Sequence, residues 1–592
     1  MHLAASKSPA STLHTARPNS HAFRFAPLSW RRNRVRSGAL LLSFFGAAHF
    51  LQAQASQPDP EQILHDQAQK ADALYQKHSY AEAAALLEKL SSDPRITALP
   101  DWFGALDELA SCQALAGESK GALRTLREMS DRAILLDVDK LTNDPDLAAL
   151  RDQPEFRELV TNMARQGAVW KDDPAIASPY KPELTLDEKV AGLSKIWSEA
   201  HFNFPFFGRL ADTDWDRLYV DYLPQVRGAQ TTADYFRVLR RFTAALHDGH
   251  TEIWLPKELN DTFFASPLRR TQRIEDKVLV TEIYDPALEA EGVKAGSEII
   301  SINDKPVRDY AESSVAPYAS GSTAQDRENR TYGYMLLQGA KSEPISLTVR
   351  EENGEAKSII VHRYCEPSSK CTGPARDSVQ FKMLPGNIAY LAVHEFVDDK
   401  GAKAMRDNFA TIAQANGLIV DVRENYGGNQ QNAVAILRML TNKPFAQVRV
   451  RTLDYKPGAR MYGIVGWSNE NGGQETPDLG YYYAKSVVVL IGPGTFSAAE
   501  NFVVLFDAMH RGTLVGTATP GSTGDSVMFK LSGGGTARIM TADVEYPDGH
   551  IFEGTGVQPQ MSVAPTILDI REGRDPVLEK AIAILRNGLP VH

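Results

Sequence analysis

Val487-Val488-Val489-Leu490-Ile491-Gly492-Pro493-Gly494-Thr495-Phe496-Ser497-Ala498-Ala499-Glu500 is the segment from which the rest of the chain is read. Its five leading apolar residues show no polar alternation, which predicts a strand buried on both faces. Gly492, Pro493 and Gly494 turn the chain. An Ala-rich helix follows, from about Ser497 to His510, and stops at Gly512. A strand that turns directly into a helix belongs to an α/β core. The Ser497 hydroxyl would then lie at a helix N-terminus, where free N–H groups and the dipole stabilise developing negative charge. Taken alone, the segment reads at least as readily as an N-cap serine, with Glu500 completing a capping box.

A second segment has the same form. Leu418-Ile419-Val420-Asp421-Val422-Arg423-Glu424-Asn425-Tyr426-Gly427-Gly428-Asn429 is a strand running into paired glycines. Successive glycines let backbone N–H groups converge on an anion. Beside Ser497, Gly427 or Gly428 could complete an oxyanion hole with the N–H of Ala498. Strands at 387–393 and 513–515 and a helix at 432–440 extend the alternation. The Gly-, Asn- and Pro-rich stretch 455–480 predicts a surface loop or lid.

Upstream the pattern changes twice. Residues 265–365 read as short strands. Within them, Gly292-Val293-Lys294-Ala295-Gly296, followed by Ile299 to Asn303 and the Asn303-Asp304 turn, resembles the PDZ signature. Such domains bind extended peptides by strand addition. Residues 185–246 are helical and aromatic-rich, open at a Thr185/Glu188 capping box, and break at His247-Asp248-Gly249-His250-Thr251. Residues 60–165 hold two similar helix-turn-helix stretches, Ala73 to Leu86 and Ala110 to Leu123, resembling a pair of tetratricopeptide units.

Together these motifs resemble the C-terminal processing and tricorn-core serine peptidase family. Across about 180–590 the helical lead-in, the Asp-Gly-His-Thr turn, the PDZ-like insert, the Asp-x-Arg-x-Asn-x-Gly-Gly turn and the Thr-Phe-Ser-Ala-Ala-Glu segment stand in the family's order. The resemblance implies Ser497 as nucleophile. The processing branch activates it with a lysine about 25 residues later. Here Thr519-Pro520-Gly521-Ser522-Thr523-Gly524 puts Ser522 at that place, and Lys530 lies outside the pattern. The tricorn-like branch uses histidine and glutamate, which fall on His250 and Glu553. Neutral imidazole can take the serine proton and return it to the leaving amine. In tricorn the glutamate works through a serine beside the histidine; here that neighbour is Gly249. Glu553 is left to orient His250, bind a water or act through Ser522. His247 and His550 do not match the motifs and read as turn residues.

Bulk properties fit this picture. A chain of 592 residues exceeds one core. The expected organisation is a signal peptide (1–55), tetratricopeptide-like helices (56–165), a linker with Pro174, Pro179 and Pro182 (166–184), a helical bundle (185–260), a PDZ-like domain (261–368) and an α/β catalytic core (369–592). Overall the fold class is multidomain, α+β and α/β. A net charge of -10 disfavours nucleic acid and anionic membranes as partners. Arg31, Arg32, Arg34 and Arg36, the apolar run Gly38–Leu51 and Ala53-Gln54-Ala55 read as a secretory leader, with a retained anchor as the alternative. Export to the periplasm or outside follows.

Cys365 and Cys371 could pair in that compartment or stay free, while Cys112 reads as core. No metal-ligand spacing occurs, and His394-Glu395 lacks a second histidine; no cofactor is expected. The expected partners are peptide or protein substrates, engaged in one version through chain termini. Oligomerisation is open. A non-catalytic peptide-binding scaffold and a degenerate relative holding an apolar ligand are the competing readings.

Overall fold

The computed structural model describes residues 60–97, 102–135, 138–210, 213–267, 269–364, 377–471 and 473–587. The expected leader and the Cys365/Cys371 pair lie outside the described residues.

The predicted buried strand is the centre of the C-terminal part. All five residues of Val487–Ile491 are buried. The strand pairs in parallel with Gly417–Asp421 on one side and Thr513–Gly516 on the other. Ile388–Val393 and Met561–Ser562 extend the parallel sheet, and Val379–Leu384 closes one edge antiparallel. Alternate residues feed two cores. Val489, Val420 and Leu391 pack with Phe502 and Phe506 of helix Ala498–Ala508. Val488, Ile419 and Tyr390 face helix Pro576–Asn587 through Val577 and Ala581. Burial on both faces is why these strands read as unbroken apolar runs.

Residues 252–254 and 526–540 join the helical bundle to this core. Glu252–Trp254 pairs with Thr536–Met540, which pairs with Ser526–Lys530. The hairpin's Phe529, Leu531, Ile539 and Met540 enter the same apolar cluster as Phe204, Trp215 and Phe242 of the bundle. The bundle's first helix, Leu186–Asn203, carries the predicted Thr185/Glu188 capping box. The proline-rich segment ahead of it is tied down, because Ser178 O accepts the N–H groups of Gly533 and Gly534 at 2.8 and 3.0 Å.

Residues 269–361 form a separate antiparallel sheet in the order Arg269–Ile274, Lys277–Ile283, Glu298–Ile302, Ile345–Arg350, Ala356–Val361, with Lys305–Pro306 on the third strand. Gly292 and Gly296 have φ of 74° and 90°, and Asn303 and Asp304 have 50° and 62°. The last two are the conformations a tight hairpin turn demands. The short helix Ala324–Glu328 of this unit reaches the C-terminal α/β core: Thr323 Oγ1 donates to Pro520 O and Gln325 Nε2 to Thr519 O.

In the N-terminal part, Pro60–Gln76 pairs with Tyr80–Leu90 and Trp102–Leu115 with Ser119–Arg132. The two turns are built alike. His78 and Gly117 have φ of 58° and 82°, and Ser79 N and Glu118 N donate back to Leu74 O and Gln113 O. These are Schellman ends. Cys112 is buried there, and burial raises its thiol to about 11.

One expectation is corrected. Residues 455–480 are not a bare loop. Gly466–Asn471 pairs with Arg449–Asp454, which pairs with Ala542–Glu545. Charged and glycine residues on an exposed ribbon hid the strand, because no buried face imposes alternation on it.

Candidate active site

Ser497 stands at the C-terminal end of its strand in a backbone conformation that side chains rarely adopt, with φ 61° and ψ −126°. Its side chain makes no capping hydrogen bond. The N-cap reading therefore fails, and the hydroxyl is left to point elsewhere. A non-glycine residue held at positive φ stores local strain of about 1–3 kcal/mol, so the surrounding turn must impose it. It does so through Thr495, whose Oγ1 donates to Val422 O and accepts from Gly492 N, and through Phe496 N, which donates to Asn425 O at 2.9 Å. The two glycine turns are thus stitched together.

The imidazole of His250 arrives from the other side. Its Nε2 lies 3.0 Å from Ser497 Oγ, and its Nδ1 lies 2.9 Å from Ser522 Oγ. With the Ser497 hydroxyl donating to Nε2, Nδ1–H donates to Ser522. The pairing of Glu252–Trp254 with the 536–540 strand fixes this placement. Arg538 Nε donates to His250 O at 2.8 Å, and Met540 N donates to Thr251 Oγ1 at 3.1 Å. The ring stacks on Phe496 with centroids 4.4 Å apart. Arg330 lies over the same phenyl ring and donates from Nη2 to Gly249 O at 3.2 Å. Burial, with Arg538 and Arg330 adding repulsion, holds the imidazole well below its usual 6.5. It is neutral at pH 7, the form a base requires.

Ser522 owes its position to Glu500. This carboxylate accepts N–H bonds from Gly521 at 2.7 Å and Ser522 at 2.8 Å, and the Thr519 hydroxyl at 2.5 Å. Glu500 is the one ionisable residue among Ala498 to Phe506, all of them buried. A buried carboxyl survives only with such partners. Burial still raises it to about 8.

Glu553 reaches the next residue of this turn from the separate 552–556 segment. Its Oε1 accepts Thr523 N at 2.7 Å, while Oε2 is buried without a partner. Among the described residues no hydrogen bond joins it to His250 or Ser522. Burial, Glu500 and Asp248 push it well above the carboxylate range.

The two glycines divide the work. A β-carbon on Gly427 would lie 2.7 Å from Ser497 Cβ, and one on Gly428 2.4 Å from the Phe396 carbonyl carbon. Both positions have positive φ, at 92° and 138°. The Gly427 N–H donates to Asn425 Oδ1 at 2.9 Å, so the expectation that it could hold an oxyanion is corrected. Among the described residues no hydrogen bond occupies the N–H of Gly428 or of Ala498.

A hydroxyl on a forced turn, a neutral imidazole at 3.0 Å and open backbone amides form the constellation of a serine hydrolase. Residues 387–563 match the family model "Peptidase family S41". It is 22% identical over 311 residues to the carboxy-terminal processing protease CtpA of Bacillus subtilis (strain 168), spanning 52% of this chain and 58% of that one. It is 28% identical over 267 residues to a carboxyl-terminal-processing protease of Synechocystis sp., spanning 43% and 56%. The chain thus covers a little over half the length of these curated relatives. The structure of mature CPAF complexed with lactacystin shares the fold, with TM-score 0.53 and 17% identity over 68% of this chain and 99% of that one. Among the described residues no group of side chains could hold a metal ion, and no helix is long and apolar enough to cross a membrane.

Proposed function

We propose that this chain is an exported serine peptidase that cleaves peptide bonds through an acyl-enzyme. The observation that carries the reading is the 3.0 Å approach of His250 Nε2 to Ser497 Oγ across 247 positions of sequence. Nε2 takes the Ser497 proton as Oγ adds to the scissile carbonyl carbon. The N–H groups of Ala498 and Gly428 receive the oxyanion. The imidazolium then gives its proton to the leaving amine, and water, deprotonated by the same nitrogen, releases the acyl group. Ser522 holds the Nδ1–H tautomer, with Glu500 and Glu553 fixing the turn that carries it. In this scheme Glu553 acts on the turn and not on the imidazole.

The substrates are peptides or proteins. The sheet of residues 269–361 acts as the PDZ-like peptide receiver, and the paired helices of 60–132 as a tetratricopeptide-like docking part. The basic-then-apolar leader sequence supports export. Labelling of the purified chain by a peptidyl phosphonate, with the adduct mapped by mass spectrometry, tests the proposal. An adduct on Ser497, lost in Ser497→Ala together with peptide hydrolysis, is expected. A folded Ser497→Ala chain that still hydrolyses peptides at the parent rate refutes it. Peptide binding with no adduct favours the scaffold reading.

A further inference from the structure

A cavity of about 300 Å³ lies against the residues that follow His250, and Ser497 is not among its walls. Arg240, Glu252, Trp254, Phe264, Tyr318 and Arg330 line it. The charges in this wall are not equally matched. Arg330 Nε donates to Asp326 Oδ1 at 2.7 Å, and Arg538 Nη2 donates to Glu252 Oε1 at 2.7 Å.

Arg240, projecting from helix Thr232–Ala244, has no such partner. Among the described residues its side chain makes no hydrogen bond and no ion pair. Its guanidinium instead sits 5.6, 5.2 and 5.6 Å from the ring centres of Phe263, Phe264 and Tyr318. Five N–H donors are therefore unspent. Arg240 lines the cavity, and none of its nitrogens is among the sealed, unpartnered atoms of the interior. Burial pulls the group down to about 10, still charged at neutral pH. A planar guanidinium ringed by aromatic faces matches one class of ligand: a carboxylate, taken by paired N–H donors, on an apolar body that packs against the rings.

We propose that this cavity is a carboxylate-binding site, distinct from the Ser497 centre, with Arg240 as its anchor. The carboxylate is that of a peptide C-terminus or of a free small acid. The same wall reaches the catalytic turn, since Arg330 holds Gly249 O and Thr251 follows His250. Binding here is independent of the peptidase reading. Any effect of an occupant on turnover rests on it.

The test is calorimetric titration of the full Ser497→Ala chain with N-acetyl-L-phenylalanine, with N-acetyl-L-phenylalaninamide, and with a pentapeptide ending in phenylalanine as free acid and as amide. The acids are expected to bind and the amides to bind at least about tenfold more weakly. Adding Arg240→Gln should cost the acids a similar factor. Adding Glu252→Gln, which removes the negative wall charge, should tighten them. Hydrogen exchange of the unsubstituted cavity should slow over 251–255 and 316–320 when acid is added, whatever the fold of the Arg240 variant. A peptide acid binding more tightly than N-acetyl-L-phenylalanine assigns the site to chain termini, and equal affinity assigns it to small acids. Acid and amide binding alike, undiminished acid binding by folded Arg240→Gln, or no binding up to about 10 mM overturns the proposal.

Discussion

Ser522 Oγ occupies the space that a side chain at position 249 would need: a β-carbon on Gly249 would stand 2.8 Å from it. The hydroxyl beside His250 Nδ1 thus comes from the turn after helix Ala498–Ala508, and glycine beside the histidine leaves room for it. Gly249→Ala should lower kcat at least about tenfold, because the methyl group also meets Phe496 at 2.9 Å. Moving the hydroxyl, as Gly249→Ser with Ser522→Gly, should recover part of the loss in steady-state assays. A double variant worse than either single one would contradict this relationship.

Ser522→Ala leaves imidazole Nδ1–H without an acceptor in a buried site. The expected loss in kcat/KM is about ten- to a hundredfold, with KM little changed. Ser497→Ala, by contrast, should abolish turnover. Initial rates on one peptide substrate for both purified variants check the ordering.

The acid limb of the kcat/KM profile should lie below pH 6.5, because burial, Arg538 and Arg330 depress the folded pKa of His250. Protonation removes the base, so activity falls as pH drops through that depressed value. Arg538→Gln removes one repelling charge and should move the limb to higher pH, whereas Arg538→Lys keeps the charge and should move it less. A pH–rate series on the three proteins decides.

Glu500 titrates in the opposite sense. Its folded pKa, about 8, exceeds its ordinary value of 4.5, so the folded state holds a proton that the unfolded chain releases. The stability this proton contributes is fully present below pH 4.5 and is lost as pH rises through about 8. The Tm of the parent relative to Glu500→Gln should therefore fall from pH 5 to pH 9. A flat difference in thermal melts would show that the carboxyl is charged throughout.

Gly427→Ala places a methyl group against Ser497 Cβ at φ 92°, a conformation costing alanine about 1–3 kcal/mol. It should lower both phosphonate labelling of Ser497 and thermal stability. Asn425→Ala should also reduce labelling, since it frees Gly427 N–H and unties the turn from Val393 O. Labelling rates and melting curves of the two variants test this.

Local pattern made much of this legible. The unbroken apolar run 487–491 and its glycine turn announce a doubly covered strand and a helix behind Ser497. The turn around His250 was readable only through its resemblance to a family motif. What escaped was long-range. Glu500 has cap spacing, yet its carboxylate bonds to residues 19 to 22 positions later. Ser522 was visible as the place where a lysine is missing, but not as the partner of an imidazole 272 positions away. The signal available for Glu500 was its charge inside an otherwise apolar helix. Gly427 and Gly428 are indistinguishable by residue type, and only the Asn425 side chain separates their roles.

The antiparallel ladder between residues 252–254 and 536–540 also sets a birth order. A ribosome makes the imidazole early, but its clamp emerges nearly three hundred residues later. Until that late hairpin has been synthesised and has folded back, the nascent polypeptide has no assembled proton acceptor beside its hydroxyl. On the proposed mechanism, the proton acceptor is in place only once that hairpin has docked.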